Sequence, residues 1–148
     1  MRTHYQITED PIDPEALRAA IADPASGAIA TFVGVTRNSF QGRRVEYLEY
    51  EVYAPMAERE MEKVGTEIAT RWPAVTGIAI AHRVGRVEVG EASIAVAVSA
   101  PHRREALAAC AHAIDRLKAT LPVWKKEVFT DGSEWRENVA EEDPSDGR

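Results

Sequence analysis

The sequence predicts an α+β fold, in which strands and helices follow one another within one domain. Its 148 residues are about the length of a single ordinary domain. Apolar residues make up 45% of the chain and charged residues 28%, which is the balance of a soluble globular protein. Strand-forming runs are joined partly by loops and partly by helical segments, so the regular strand–helix alternation of a doubly wound fold is not expected.

The N-terminal segment predicts a strand followed by a short helix. Residues 4–7 alternate weakly between apolar and polar side chains and predict an edge strand. Asp13 is a typical helix N-cap, and Pro14 suits the first helical position. An Asp-Pro pair ends this helix near Ala22.

Two strands and a helix are predicted next. Residues 27–35 are rich in Ile, Thr, Phe and Val and predict a central strand. Residues 45–53 alternate strictly, which predicts a second strand that pairs antiparallel with the first across the polar loop between them. A helix then begins at Pro55 and ends before Pro73, with apolar residues at helical spacing.

The C-terminal half predicts two further strands, the longest helix and a last strand. The two strands span residues 77–84 and 91–99, and the helix covers residues 102–121. The last strand covers residues 124–130. We therefore expect a single domain over residues 1–136.

Most of the negative charge lies at the C-terminus. The net charge is −6, and residues 137–148 carry −4 of it, which predicts an acidic, mobile tail. The remaining residues carry −2 and lack the basic excess typical of nucleic-acid binding. No apolar run approaches the roughly 20 residues of a membrane span, and the N-terminus has no signal-peptide pattern. We expect a cytoplasmic protein with neither a nucleic-acid nor a membrane partner.

The single cysteine, Cys110, excludes an internal disulfide and any Cys-x-x-Cys motif. A lone cysteine can act as a nucleophile or sulfur carrier, or it can fill a small space in the core. On the long helix Cys110 falls on the apolar stripe beside alanines, which favours the core. No pattern of metal ligands is present, so neither a metal nor another cofactor is expected.

Lys118 is the anomaly of the long helix. With Leu107 at zero on a helical wheel, Ile114 falls at about 340° and Lys118 at about 20°. Lys118 is therefore expected inside the apolar stripe. A buried cation is costly unless it is paired or lines a cleft. Alternatively, its ammonium extends along its own stem to water, and the wheel leaves both interpretations open.

Other basic residues are weaker signals of an anion site. His102 and Arg103 stand at the start of the helix, where free N–H groups and the helix dipole favour a phosphate. A Lys-Lys-Glu run follows the helix, and strand alternation points Lys125 and Glu127 one way and Lys126 the other. Alone, such a run is usually a solvated surface.

Three segments, in their order and spacing, resemble one protein family. They are Thr31–Asn38 with Gly42, Ser99–Arg103, and Leu117–Lys118 with Pro122–Glu127. From about Ala28 to Trp135 the sequence resembles the large, catalytic subunit of molybdopterin synthase, the MoaE family.

The resemblance implies an α+β fold of the hammerhead type with an additional small antiparallel sheet. Family members add two sulfur atoms to cyclic pyranopterin monophosphate (precursor Z) and so form the dithiolene of molybdopterin. The sulfur arrives as a thiocarboxylate on the C-terminal Gly-Gly of a small ubiquitin-like partner, the MoaD-like subunit. The implied assembly is a heterotetramer built around a homodimer of large subunits.

The resemblance also implies roles for single residues. Arg37, His102 and Arg103 would hold the phosphate of the substrate. Lys118 and Lys125 would contact the substrate and act as the catalytic lysines, with the partner's terminal glycine docking beside Lys118. The other implied residues are Lys126 and Glu127 in the substrate pocket, and Phe32 and Ile114 along the channel for the partner's tail.

Two functions of other classes fit part of the sequence. A non-catalytic, anion-binding α+β regulatory domain would explain Arg37, His102 and Arg103, but not a lysine inside the apolar stripe. A phosphoryl hydrolase using His102 would need an orienting carboxylate and usually a metal, and no motif indicates either. Formation of the dithiolene from precursor Z and a thiocarboxylated partner separates the three functions.

Overall fold

The computed structural model describes residues 1–137, which form two β-sheets and three helices. In chain order the elements are β1 (Arg2–Thr8), α1 (Pro14–Ala20), β2 (Ala28–Val35), β3 (Ser39–Phe40), β4 (Arg43–Val52), α2 (Ala54–Arg71), β5 (Gly77–Arg83), β6 (Gly85–Glu88), β7 (Ala92–Ala100), α3 (Arg103–Thr120), β8 (Val123–Phe129) and β9 (Gly132–Glu137).

The first sheet holds the main core. Its four strands lie in the order β1-β5-β7-β2, with β1 parallel to β5 and the other neighbours antiparallel. The central strands β5 and β7 are buried on both faces. Small side chains such as Ala79 and Ala97 face α1, whereas larger ones such as Ile80 and Val96 face α2 and α3. Alternation along the strands therefore sorts side chains by size between a thin and a thick helical layer.

The second sheet is smaller and antiparallel throughout. Its path is β3-β4-β8-β9, and β6 pairs with β4 outside that path. A separate apolar cluster, made of Phe40, Val45, Leu48 and Phe129, lies on one face. The predicted α+β class, with a second small antiparallel sheet, is confirmed.

Two predicted pairings are wrong. Residues 28–35 form β2 at an edge of the first sheet, where a central strand was expected. The strand predicted over residues 45–53 lies in the second sheet and pairs with β8 and β6, so it is not the partner of β2. Alternation identifies a strand and its buried face, but it does not identify the neighbouring strands. Here one of them, β8, comes from more than 70 residues further along the chain.

The predicted helices are confirmed. Asp13 caps α1 by accepting a hydrogen bond from the backbone N–H of Glu15 at 3.0 Å, and Pro14 is the first helical residue. The two long helices end within a residue or two of their expected limits. The hairpin strand β9 was not predicted, because its sequence is polar and lacks a strand-forming pattern.

A two-residue junction joins α3 to the second sheet. α3 ends at Thr120 and β8 begins at Val123, so only Leu121 and Pro122 lie between them. The backbone N–H of Leu121 donates to the carbonyl of Leu117 at 3.0 Å, and that of Val123 donates to Leu121 at 2.9 Å. The helix therefore passes directly into the strand, and no longer loop lies between them to absorb an insertion or a deletion.

Residues 138–148, most of the expected acidic tail, lie outside the described residues. Within residues 1–137, no helix combines the length and the apolar character needed to cross a bilayer.

Candidate active site

A cavity of about 750 Å³ opens where the two sheets meet, beside the C-terminal half of α3. Its wall is built by β2, the loop that follows β2, β4, α3 and β8. Six of the residues implied by the family resemblance line it: Phe32, Arg37, Ile114, Lys118, Lys125 and Glu127. Three cations and one carboxylate, contributed by a loop, a helix and a strand, therefore share one cavity.

Lys118 lies at the flank of the buried face of α3, and the prediction that it sits inside that face is wrong. The fully buried positions are mainly alanines and Leu117, whereas Leu107 is 61% exposed and Ala111 is exposed as well. α3 packs against β2, β7 and α2 together, and small side chains allow that close approach. A wheel that counts Leu107 and Ala111 as part of the apolar stripe therefore misplaces the buried face. Lys118 itself is half-buried and faces the cavity.

Strand β8 presents Lys125 and Glu127 to the cavity, as the alternation predicts. Antiparallel pairing places Tyr50 opposite Lys125 and Leu48 opposite Glu127. Glu127 is 1% exposed, and its Oε1 lies 2.6 Å from Nε of Arg136, although the N–H does not point along that line as in a regular hydrogen bond. The guanidinium of Arg136 in turn lies 4.5 Å from the ring centre of Phe40. A buried carboxylate is thus balanced by a cation from the neighbouring strand.

The loop after β2 brings Arg37 to the rim of the cavity. Thr36 is buried and anchors the loop, because its N–H donates to the carbonyl of Glu91 at 3.0 Å and its carbonyl accepts from the N–H of Gly90 at 2.8 Å. The adjacent Arg37 side chain is exposed to solvent and lines the cavity. Thr36 also lines the cavity, and its buried hydroxyl has no hydrogen-bond partner among residues 1–137.

Buried His82 packs against partly buried Tyr50, which lines the cavity. Their rings are 5.1 Å apart and nearly perpendicular, at 77°. His82 is 6% exposed, and its Nδ1 lies 2.7 Å from the carbonyl oxygen of Arg83. Burial, together with the nearby positive charge of Lys118, lowers the pKa of His82 to about 4, so the imidazole is neutral at pH 7. Burial raises the pKa of Tyr50 to about 12, so its phenol keeps the proton.

Three implied site residues do not line the cavity. His102 and Arg103 lie at the other end of α3 and are exposed. With 1.5 Å of rise per residue, Arg103 is about 22 Å from Lys118 along the helix axis. Lys126 points to the opposite face of β8, where its Nζ lies 5.7 Å from the ring centre of Trp135 and 4.0 Å from the carboxylate of Glu49.

Cys110 is buried in the main core, as the sequence predicts. Burial raises the pKa of its thiol to about 11, so the thiolate is scarce at neutral pH. Cys110 is absent from the cavity wall. Within residues 1–137, no three His, Cys, Asp or Glu side chains are grouped so that they could hold a metal ion.

Comparison with known proteins identifies the family. A family described as MoaE protein matches residues 7–120, which is most of the chain. The chain belongs to the MoaE family. Among curated relatives, the molybdopterin synthase catalytic subunit of Drosophila willistoni is 45% identical over 137 residues, covering 91% of this chain. The chain spans only 37% of the length of that relative.

Solved structures of MoaE proteins share the fold. The crystal structure of molybdopterin synthase from Staphylococcus aureus matches with a TM-score of 0.85 and 40% identity, covering 88% of this chain and 94% of that one. A complex of subunits 1 and 2 of the molybdopterin-converting factor from Helicobacter pylori matches with a TM-score of 0.72, covering 95% of this chain and 92% of that one. At 21% identity, the second match supports the fold alone.

In this MoaE chain, sequence reasoning overlooked Tyr50, His82 and Thr36. His82 carried a usable signal, because it is the one polar residue in the otherwise apolar run GIAIAH of β5. Tyr50 had none, since an aromatic residue in an alternating strand is ordinary core. Thr36 had none either, because its significance depends on which side chains surround it.

Proposed function

We propose that this chain is the catalytic subunit of a molybdopterin synthase. It transfers sulfur from the thiocarboxylated C-terminus of a small ubiquitin-like partner to precursor Z, which becomes the dithiolene of molybdopterin. The observation that carries the proposal is the cavity in which Arg37, Lys118 and Lys125 converge with a buried glutamate. Membership of the MoaE family and the similarity to named molybdopterin synthases support it.

The charges of the cavity suit this chemistry. Adding sulfur at two carbons and opening a cyclic phosphate creates negative charge, which needs proton donors and cations in a site shielded from water. Lys118 and Lys125 supply both, from a helix and a strand that the short junction holds together. Phe32 and Ile114 give part of the wall an apolar surface that suits an extended peptide tail.

A second copy of the chain would complete the phosphate site. His102 and Arg103 are about 22 Å from Lys118 on a rigid helix, so they cannot reach the same substrate from within one chain. A homodimer can place them at the neighbouring cavity, since a symmetric interface brings two distant surfaces together twice. This is the arrangement expected for the core of a heterotetramer, with one small partner at each cavity.

The decisive experiment combines the purified chain, precursor Z and a partner carrying a C-terminal thiocarboxylate. Mass spectrometry should detect a product that has gained two sulfur atoms. A partner ending in an ordinary carboxylate is the matched control and should give none. Binding of precursor Z without any sulfur gain would instead favour the anion-binding regulatory domain.

Arg37→Ala and Arg103→Ala are expected to weaken binding of precursor Z by about ten- to a hundredfold each. The loss follows from removing one charge-assisted hydrogen bond to phosphate. Isothermal titration calorimetry measures it directly, and unchanged affinity in both variants would remove these arginines from the site.

Mixing Arg103→Ala chains with Lys118→Ala chains tests the second copy. A mixed dimer has one cavity with both substitutions and one with neither, so with precursor Z well below the wild-type KM about a quarter of the wild-type rate should return on statistical mixing. No recovery in a sample shown to contain mixed dimers would mean that each cavity draws on one chain.

Cys110→Ser is expected to retain most of the sulfur-transfer rate while lowering the free energy of unfolding by about 1 kcal/mol. The thiol is buried and its raised pKa disfavours the nucleophilic form, whereas a serine hydroxyl would lack a good partner there. Steady-state kinetics measures the sulfur-transfer rate, and urea denaturation measures the free energy of unfolding. A folded but inactive variant would show that sulfur passes through this cysteine.

A further inference from the structure

His82 stands out among the buried polar groups, because the proposed mechanism does not use it. It is the last but one residue of β5 and pairs with Ile94 of β7. Alternation puts it on the same face as Ile78 and Ile80, which is the face covered by α2 and α3. An apolar side chain would fill that position without the cost of burying two ring nitrogens.

The topology places His82 beneath Lys118. β7 runs antiparallel to β5, and α3 follows β7 and runs back along it. The C-terminal end of α3, which carries Lys118, therefore lies over the end of β5, which carries His82. Tyr50 touches His82 from one side and lines the cavity beside Lys118. The charge of Lys118 also acts directly on the imidazole.

The hydrogen bond at Nδ1 decides what the other nitrogen can do. A carbonyl oxygen only accepts, so Nδ1 must carry the proton in its 2.7 Å contact with Arg83. In the neutral ring, Nε2 then carries a lone pair and can only accept. A neutral acceptor next to an ammonium can orient it without adding a negative charge.

We propose that His82 is a positioning residue for Lys118: its Nε2 accepts a hydrogen bond from the Lys118 ammonium and directs that group into the cavity. This role rests on the proposed function, in which Lys118 is one of the two catalytic lysines, and it names the residue that orients Lys118. His82 does not exchange protons with the substrate. The imidazole holds Nζ of Lys118 in place and favours its charged form. Any proton given to the substrate comes from Lys118.

Two substitutions separate the two nitrogens. In His82→Asn, the side-chain amide can still donate to the Arg83 carbonyl, but nothing replaces Nε2. In His82→Gln, the longer side chain puts an acceptor near the position of Nε2 and gives up the Nδ1 bond. His82→Phe fills the volume without either nitrogen, and it replaces the Asn variant in these tests if that variant does not fold.

The first measurement is the pKa of Lys118 in the isolated chain, followed by NMR of ¹³C-labelled lysine and assigned with Lys118→Arg. Loss of an acceptor destabilises the ammonium, so the pKa of Lys118 should fall by about one pH unit in His82→Asn. It should return towards the wild-type value in His82→Gln. The other groups that face Lys118 from the cavity wall remain in place in every variant: Arg37, Tyr50, Asp115, Lys125 and Glu127.

The second measurement is sulfur transfer. His82→Asn should lower kcat by about tenfold with KM for precursor Z nearly unchanged, and His82→Gln should recover most of that rate. A purely structural histidine predicts the reverse order, because Asn keeps the backbone hydrogen bond and Gln loses it. An unchanged pKa of Lys118 in both Asn and Phe variants would overturn the proposal. If the wild-type chain transfers no sulfur, the proposed function fails, and the NMR titration still decides the role of His82.

Discussion

Lys118→Ala is expected to slow sulfur transfer by about 10²–10⁴-fold, the usual contribution of a general acid–base group. The free energy of unfolding should change by no more than roughly 1.5 kcal/mol, the value of one hydrogen bond, because Lys118 lies at the flank of α3 and is only half-buried. Product formation with saturating thiocarboxylated partner measures the first effect, and urea denaturation measures the second.

Lys118→Arg is the matched control. It keeps the positive charge but changes the reach of the side chain and removes a pKa that can be tuned, so most of the loss should persist. Assembly with the partner must be verified in both variants, since Lys118 lies on the wall proposed for the partner's tail. A near wild-type rate for Lys118→Ala would end its catalytic assignment, and membership of the MoaE family would stand.

Arg136→Met should lower the free energy of unfolding by about 3 kcal/mol, because it removes the cation that lies nearest to the buried carboxylate of Glu127. Breaking a buried ion pair typically costs about 3–5 kcal/mol, and the lower end applies because the Arg136 side chain is 37% exposed. Methionine keeps an apolar stem against Phe40, so the measurement isolates the charge. Urea denaturation is the direct test.

The double variant Arg136→Met with Glu127→Gln is the control for that prediction. Removing the carboxylate charge as well should recover most of the lost stability, since an amide is far cheaper to bury than an unpaired carboxylate. A single variant within about 0.5 kcal/mol of the wild type would show that Glu127 is not stabilised by this pair.

The elements of the fold follow from local patterns, but their neighbours do not. The start of α1 at Asp13-Pro14 and the end of α2 before a proline could be predicted, because capping and proline geometry act within a few residues. The placement of β4 in a second sheet was not, because its pairing with β8 depends on the whole path of the intervening chain. β9 is held by its hairpin with β8, and its polar sequence gives no independent signal.

Some residues of the candidate site could likewise be predicted from the sequence, and others could not. Family resemblance pointed to Arg37, Lys118 and Lys125, which the fold brings to one cavity. Residue chemistry alone indicated that Lys118 was unusual, but it put the lysine on the wrong part of the helix, because alanines rather than large side chains mark the buried face. His82 shows a different limit: it is visible in the sequence as the one polar residue of an apolar run, but its place near Lys118, 36 residues further along the chain, follows only from the fold.

The number of residues between α3 and β8 fixes the spacing of Lys118 and Lys125. A single inserted residue would have to be absorbed on one side or the other. If β8 slipped by one position, Trp124 and Lys126 would turn towards the cavity and Lys125 would turn away. If α3 rotated instead, by about 100°, Lys118 would leave the wall. Leu121 and Pro122 do not line the cavity, yet both lysines stay on its wall only if the junction keeps two residues.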